Sequence, residues 1–164
     1  MERRFNYTGL CVPEQHYMVD ISAKIAQIRA MVDQGLYFTI NRARQYGKTT
    51  TLFALWKALS TDYLCIDISF EGVGDVVFED ESKFCQMFLS EIQRRLKRSQ
   101  LVDDKDYIAS WVDPSVVKFD ALRDHLDKVC AGRRIVLMID EVDASTNYRV
   151  YIRFLAMLRD KYLV

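Results

Sequence analysis

A surplus of charge of either sign is missing from this chain. Lys and Arg number 23, Asp and Glu number 23, and the formal net charge is zero. Such neutrality argues against a broad nucleic-acid surface. No apolar run approaches the roughly 20 residues that a membrane span needs, and the N-terminus lacks the apolar core of a signal peptide. Cys11, Cys65, Cys85 and Cys130 form no Cys-x-x-Cys pair, and two histidines, His16 and His125, stand far apart. A metal site built from thiolates and imidazoles is therefore excluded as a first reading. Structural thiols in a reducing cytoplasm fit better. Repeats and low-complexity segments are absent as well. What is present is a hydrophobic fraction of 50% in 164 residues, which suffices for one globular domain with a real core, residues 1–164.

Strands and helices alternate along the chain. Residues 1–19 read as irregular, punctuated by Pro13. A helix is expected from about Ser22, with Ile21, Ile25, Ile28 and Val32 at helical spacing and Gly35 as its stop. Tyr37–Ile40 reads as a short buried strand. After Lys48 a helix places Leu52, Leu55, Trp56 and Leu59 on one face. Tyr63–Ser69 is the second strand and Phe70–Glu81 a loop. A helix from Ser82 to about Arg98 turns Phe84, Met87, Phe88 and Ile92 inward. A polar stretch ending at Asp113-Pro114 leads to a helix over Phe119–Cys130. A strand ending at Asp140 follows, then a helix from about Asn147 to Lys161. This order predicts an α/β fold with a mainly parallel sheet.

Chemistry concentrates at two places. The first is Arg42-Ala43-Arg44-Gln45-Tyr46-Gly47-Lys48-Thr49-Thr50, between the first strand and the helix after it. Backbone N–H groups of such a loop face a β-phosphate, and the positive end of the following helix lies there. Lys48 would reach the β- and γ-phosphates, and the Thr49 hydroxyl would coordinate Mg²⁺. The usual pattern asks for glycine where this chain has Arg42, and Gly-Lys-Thr alone is a common string. The second place decides the matter. Arg134 is followed by five apolar residues, Ile135 to Ile139, and then by Asp140-Glu141. Such a run fits a strand buried on both faces of a parallel sheet. Its C-terminal edge delivers an acid, as a P-loop fold requires for its Mg²⁺ shell. Asp140 reads as that ligand and Glu141 as the base that orients or deprotonates water. The plainer alternative is an ordinary strand followed by a solvated acidic turn.

This constellation resembles the additional-strand, catalytic-glutamate branch of P-loop proteins, which includes AAA-type and STAND-type ATPases. More narrowly, Arg-Ala-Arg-Gln-Tyr-Gly-Lys-Thr-Thr, with Phe5 to Asp20 before it, resembles the bacterial AAA-ATPase-like family, where an arginine-rich loop is usual. The resemblance implies a P-loop three-layer sandwich. It implies ATP and Mg²⁺ as ligands, held by Arg44, Gln45, Tyr46, Gly47, Lys48, Thr49 and Thr50, with Asp140 on metal and Glu141 on water. It also makes Gly9–Val19 the strip that packs on adenine, where Val12, Pro13, Tyr17 and Val19 would form an apolar slot. The alternative for that strip is closure of the core under the first helix. For Arg42 a structural pairing is favoured; Arg44 stays open between phosphate contact and loop support. Tyr46 either flanks the phosphates or packs beneath the loop.

Weaker candidates read as structural. Gly72-Val73-Gly74 is a turn, and Arg94 to Arg98 a solvated helix end. Arg149, Arg153 and Arg159 read as a helix face before trans-acting fingers in a homo-oligomer. In the related fold a later strand carrying a polar sensor residue lies between the phosphate-loop strand and the acidic strand. No apolar strand follows Leu158, so the expectation is an N-terminal fragment of a longer ATPase. Two further classes stand beside hydrolysis: a nucleotide-gated protein-interaction switch with little turnover, and a small-molecule kinase. Glu141 directly after Asp140 argues against the kinase.

Overall fold

The structure, a computed structural model, describes residues 4–5, 15–17, 19–40, 47–99, 102–140 and 148–162, without the side chains of Lys48 and Tyr162. It is an α/β protein in which the described residues form seven helices and one two-stranded parallel sheet. The chain divides into two compact units, residues 1–62 and 63–164. No helix among the described residues is long and apolar enough to cross a membrane.

The first unit carries α1 (Ser22–Asp33) and α2 (Lys48–Leu59), packed on each other. Helix starts leave N–H groups without intrahelical acceptors. At α1 the Asp20 carboxylate takes the Ser22 N–H at 2.9 Å and the Ser22 hydroxyl at 2.6 Å. Those bonds hold the Asp20 carboxyl below its ordinary value. The other end closes as the sequence predicts. Gly35, at φ 69°, donates its N–H to Val32 O, and Leu36 donates to Met31 O. These two bonds satisfy the last carbonyls only if the intervening residue is left-handed, where glycine carries no Cβ penalty. On α2, Thr51, Leu55 and Leu59 recur every four residues and are buried. Arg29 ties the helices together by donating to Ala58 O at 2.6 Å and pairing with Asp62. A cation there also suits the negative end of α2.

Tyr37–Ile40 is not the strand expected from sequence. The stretch joins no ladder among the described residues, although exposed Thr39 alternates with half-buried Phe38 and Ile40. Aromatic and β-branched content supplies propensity, but a strand exists only where a partner supplies the ladder. Nearer the N-terminus, Arg4 and His16 form an isolated parallel bridge, with Arg4 N donating to Gln15 O and Tyr17 N to Arg4 O.

In the second unit β1 (Leu64–Ser69) pairs in parallel with β2 (Ile135–Asp140), in a register running from Leu64 opposite Ile135 to Ser69 opposite Asp140. Between them run α3 (Asp75–Glu79), α4 (Glu81–Ser99), α5 (Lys105–Ser110) and α6 (Phe119–Cys130); α7 (Arg149–Tyr162) follows β2. One sheet face, with Ile66 and Ile68 buried and Leu64, Ile135, Leu137 and Ile139 half-buried, meets the helices. Helix α4 buries Phe84, Cys85, Phe88, Leu89, Ile92 and Leu96, a stripe of helical period. Aromatic rings fill the centre. Phe154 lies 4.9 Å from Phe84 and 4.8 Å from Phe88, and Phe70 meets Tyr151 edge-on at 5.3 Å. Polar side chains at the edge of this core are tied in as well: Glu81 accepts from Phe119 N at 2.7 Å and from Arg153 at 2.9 Å, and Gln86 donates to Asp113 O and Val116 O.

Three readings of this half need correction. The loop expected over Phe70–Glu81 contains α3, anchored by buried Phe78, and α4 starts within it at Glu81. The polar stretch before Asp113 contains α5, capped by the Asp104 carboxylate on Tyr107 N at 2.8 Å. Helices of five or six residues are too short to show a period in sequence, and anchoring rather than propensity forms them. Finally, β2 is less deeply buried than its continuous apolar run predicts: Met138, on the face opposite Ile135, Leu137 and Ile139, is buried, and the other five residues are half-buried. A continuous apolar run does not set how deeply each face is covered.

Candidate functional site

Gly47 stands before α2 with φ 73° and ψ 33°, a left-handed conformation that suits glycine. Its carbonyl accepts the first intrahelical bond, from Thr51 N at 2.9 Å. Lys48, Thr49 and Thr50 form the first turn of the helix that opens there. The first turn of α2 holds no acidic side chain to offset its positive end. Three threonines in a row leave this turn at 100° intervals, with Thr49 exposed, Thr50 half-buried and Thr51 buried. Thr49 is thus the exposed one of the three.

In the second unit, Asp140 is the last residue of β2 and is half-buried. It lies opposite Ser69, the last residue of β1. Both strands run the same way, so both carboxyl ends open on one edge, where ligands bind in open parallel sheets. Asp67, two residues before Ser69, is held by Arg95 through Nε at 2.7 Å and Nη2 at 2.5 Å. Sequence alone does not single out Ser69, because its place beside Asp140 depends on the register.

Arg42, Arg44, Gln45, Tyr46, Val12, Pro13 and Glu141 lie outside the described residues. Tyr17 of the expected adenine slot is 54% exposed, with its ring 5.0 Å from that of Phe5, and Val19 is 83% exposed. The weaker candidates have structural settings. Gly72 occupies a turn at φ 75°, closed by Val73 N on Phe70 O. Arg94 pairs with Glu91, Arg153 with Glu81 and Arg159 with Asp160.

Among the described residues no three His, Cys, Asp or Glu side chains are grouped to cage a metal. Magnesium does not require such a cage. It is a hard cation that keeps several waters and takes one or two protein oxygens together with substrate phosphates. A carboxylate at a strand end and a threonine hydroxyl in a first helical turn are donors of that kind. The thiols are not: burial pushes Cys65 up to about 11 and Cys85 up to about 12, so both stay protonated.

The molecule is thus an α/β protein with an acid at the carboxyl edge of a parallel sheet and a glycine-led helix start upstream of it. Residues 12–162 match the profile of the AAA-like domain, and the chain belongs to that family. No curated protein and no solved structure is significantly similar to it.

Proposed function

We propose that this chain is an ATP-binding module of the P-loop type, with Mg²⁺ as the accompanying ion and hydrolysis as its reaction. The observation that carries the reading is the left-handed Gly47 leading straight into the Lys48–Thr49 turn, in a chain of the AAA-like family. Phosphate oxygens are acceptors with negative charge, and such a turn offers backbone donors and a positive dipole end. Lys48 adds a point charge for the β- and γ-phosphates, and Arg44, Gln45, Tyr46 and Thr50 complete the loop. Thr49 and Asp140 are the magnesium ligands, and the bound ion would neutralise charge that develops on the phosphates. Glu141 takes the proton of the attacking water. Pro13 and Tyr17 line the side of the base. The free thiols Cys65 and Cys85 fit a reducing cytoplasm.

Thermal melting with and without Mg²⁺–ATP tests the reading. At about a hundred times its dissociation constant, a ligand stabilises the native state by roughly 2.7 kcal/mol. The expected result is a rise in Tm that Lys48→Ala abolishes and Glu141→Gln retains. In the same preparations Glu141→Gln stops phosphate release, because it deletes a base and no phosphate contact. A melting curve indifferent to Mg²⁺–ATP in the unmutated chain overturns the proposal.

A further inference from the structure

Arg4 and His16 pair in parallel, so the residues that follow them stand side by side: Phe5 next to Tyr17. Neighbouring extended segments lie about 4.8 Å apart, and successive side chains point to opposite faces. The two rings accordingly meet with centroids 5.0 Å apart at a tilt of 36°. His16 is buried, whereas Phe5 and Tyr17 are each more than half exposed. Backbone bonds from Arg4 N to Gln15 O at 3.0 Å and from Tyr17 N to Arg4 O at 3.1 Å hold the pair in place. Two exposed rings fixed together keep apolar surface in water at a cost in free energy, which a flat ligand laid on them removes. Phe5 lies outside the slot expected from sequence, and the bridge is what brings it to Tyr17.

We propose that the Phe5–Tyr17 pair is a stacking platform for the nucleobase, and that it accepts guanine as readily as adenine. The proposal rests on the reading of this chain as a nucleotide-binding module, whose Gly47 turn belongs to the same unit as the two rings. Aromatic stacking is tolerant, because every base has a π-face. Edge readout behaves differently: polar groups built to bond one base are left unpaired by another, which is then rejected by orders of magnitude. A platform of two hydrocarbon rings therefore supplies affinity for the base with little choice between purines.

The test is calorimetric titration of the full chain, in the presence of Mg²⁺, with ATP, with GTP and with inorganic triphosphate, which carries no base. Phe5→Leu and Tyr17→Leu keep apolar bulk without a π-face, and Phe5→Tyr keeps a ring. Each Leu variant is expected to weaken ATP and GTP alike by about 10-fold. Both should bind triphosphate as the unmutated chain does, which also shows that the phosphate turn is intact. Phe5→Tyr should hold ATP more tightly than Phe5→Leu. Unchanged ATP affinity in Phe5→Leu overturns the platform. So does an equal loss for ATP and triphosphate, since the rings then support the fold rather than the base. GTP bound more than about 100-fold more weakly than ATP overturns the tolerance, because the base is then read on its edge. If neither nucleotide nor triphosphate binds the unmutated chain, the nucleotide reading itself falls, and this inference with it.

Discussion

Among the described residues, the two units of the chain are packed to different densities. Every residue of the continuous hydrophobic core, from Ile66 to Leu158, belongs to the second unit. Eight of its rings, on Phe70, Phe78, Phe84, Phe88, Phe119, Tyr148, Tyr151 and Phe154, form one connected network. In the first unit, among the described residues, Ile28, Leu55 and Leu59 are the buried apolar side chains, while Phe5, Tyr17, Val19, Leu36, Tyr37 and Phe53 are exposed. The Gly47–Lys48 turn sits in the sparse unit and Asp140 in the dense one. Local opening costs least where few apolar contacts are lost.

Tryptophan makes this contrast measurable, since each unit holds one: Trp56 on α2 and Trp111 after α5. The largest effect is expected from Phe84→Ala, which empties the centre of the ring network. Phe84 is fully buried, and such truncations cost about 3–5 kcal/mol. In a Trp56→Phe background the urea transition of Trp111 should shift by that amount. Leu59→Ala, at a fully buried position on α2, should cost about 2–3 kcal/mol, nearer the lower end of such truncations because a sparse site can collapse. Its effect should be read by Trp56 in a Trp111→Phe background. If both variants shift both transitions equally, the contrast between the units is lost.

A smaller effect sharpens the account of the dense unit. Glu81 closes the N-terminus of α6 through Phe119 N and anchors Arg153 of α7. Glu81→Ala leaves a part-buried donor unsatisfied, at a cost of about 1–3 kcal/mol. A Trp111 transition that does not move would mean that water replaces the carboxylate.

The smallest effect is one of pH. Bonds from the hydroxyl and N–H of Ser115 hold the Asp113 carboxyl below its ordinary 3.8. A carboxyl lowered in the folded state contributes stability that is fully present above the unfolded value. That stability is lost as pH falls through the lower folded value. Stability should therefore decline below about pH 4 in the unmutated chain, and less steeply in Asp113→Asn. Equal slopes would remove Asp113 from the acid response.

Much of this molecule was legible before its structure. Helices α1, α2, α4, α6 and α7 carry long apolar stripes, and Gly35 and Gly47 sit where a left-handed residue is needed. The strands β1 and β2 appear within one residue of the runs that predict them at Tyr63–Ser69 and Arg134–Asp140. Signals of this kind are local, since period, turn chemistry and run length are all contained in a single segment. The family also follows from residues in line, over 12–162. Helices α3 and α5 were not legible, because each is held by one buried side chain, Phe78 or Ile108, packed by distant partners. Nor was the fate of Tyr37–Ile40, since propensity does not name a pairing partner. The position of Ser69 beside Asp140 is the clearest case. Seventy residues of helix and turn separate them, and only the register of two parallel strands, set by which side chains face the core, brings them side by side.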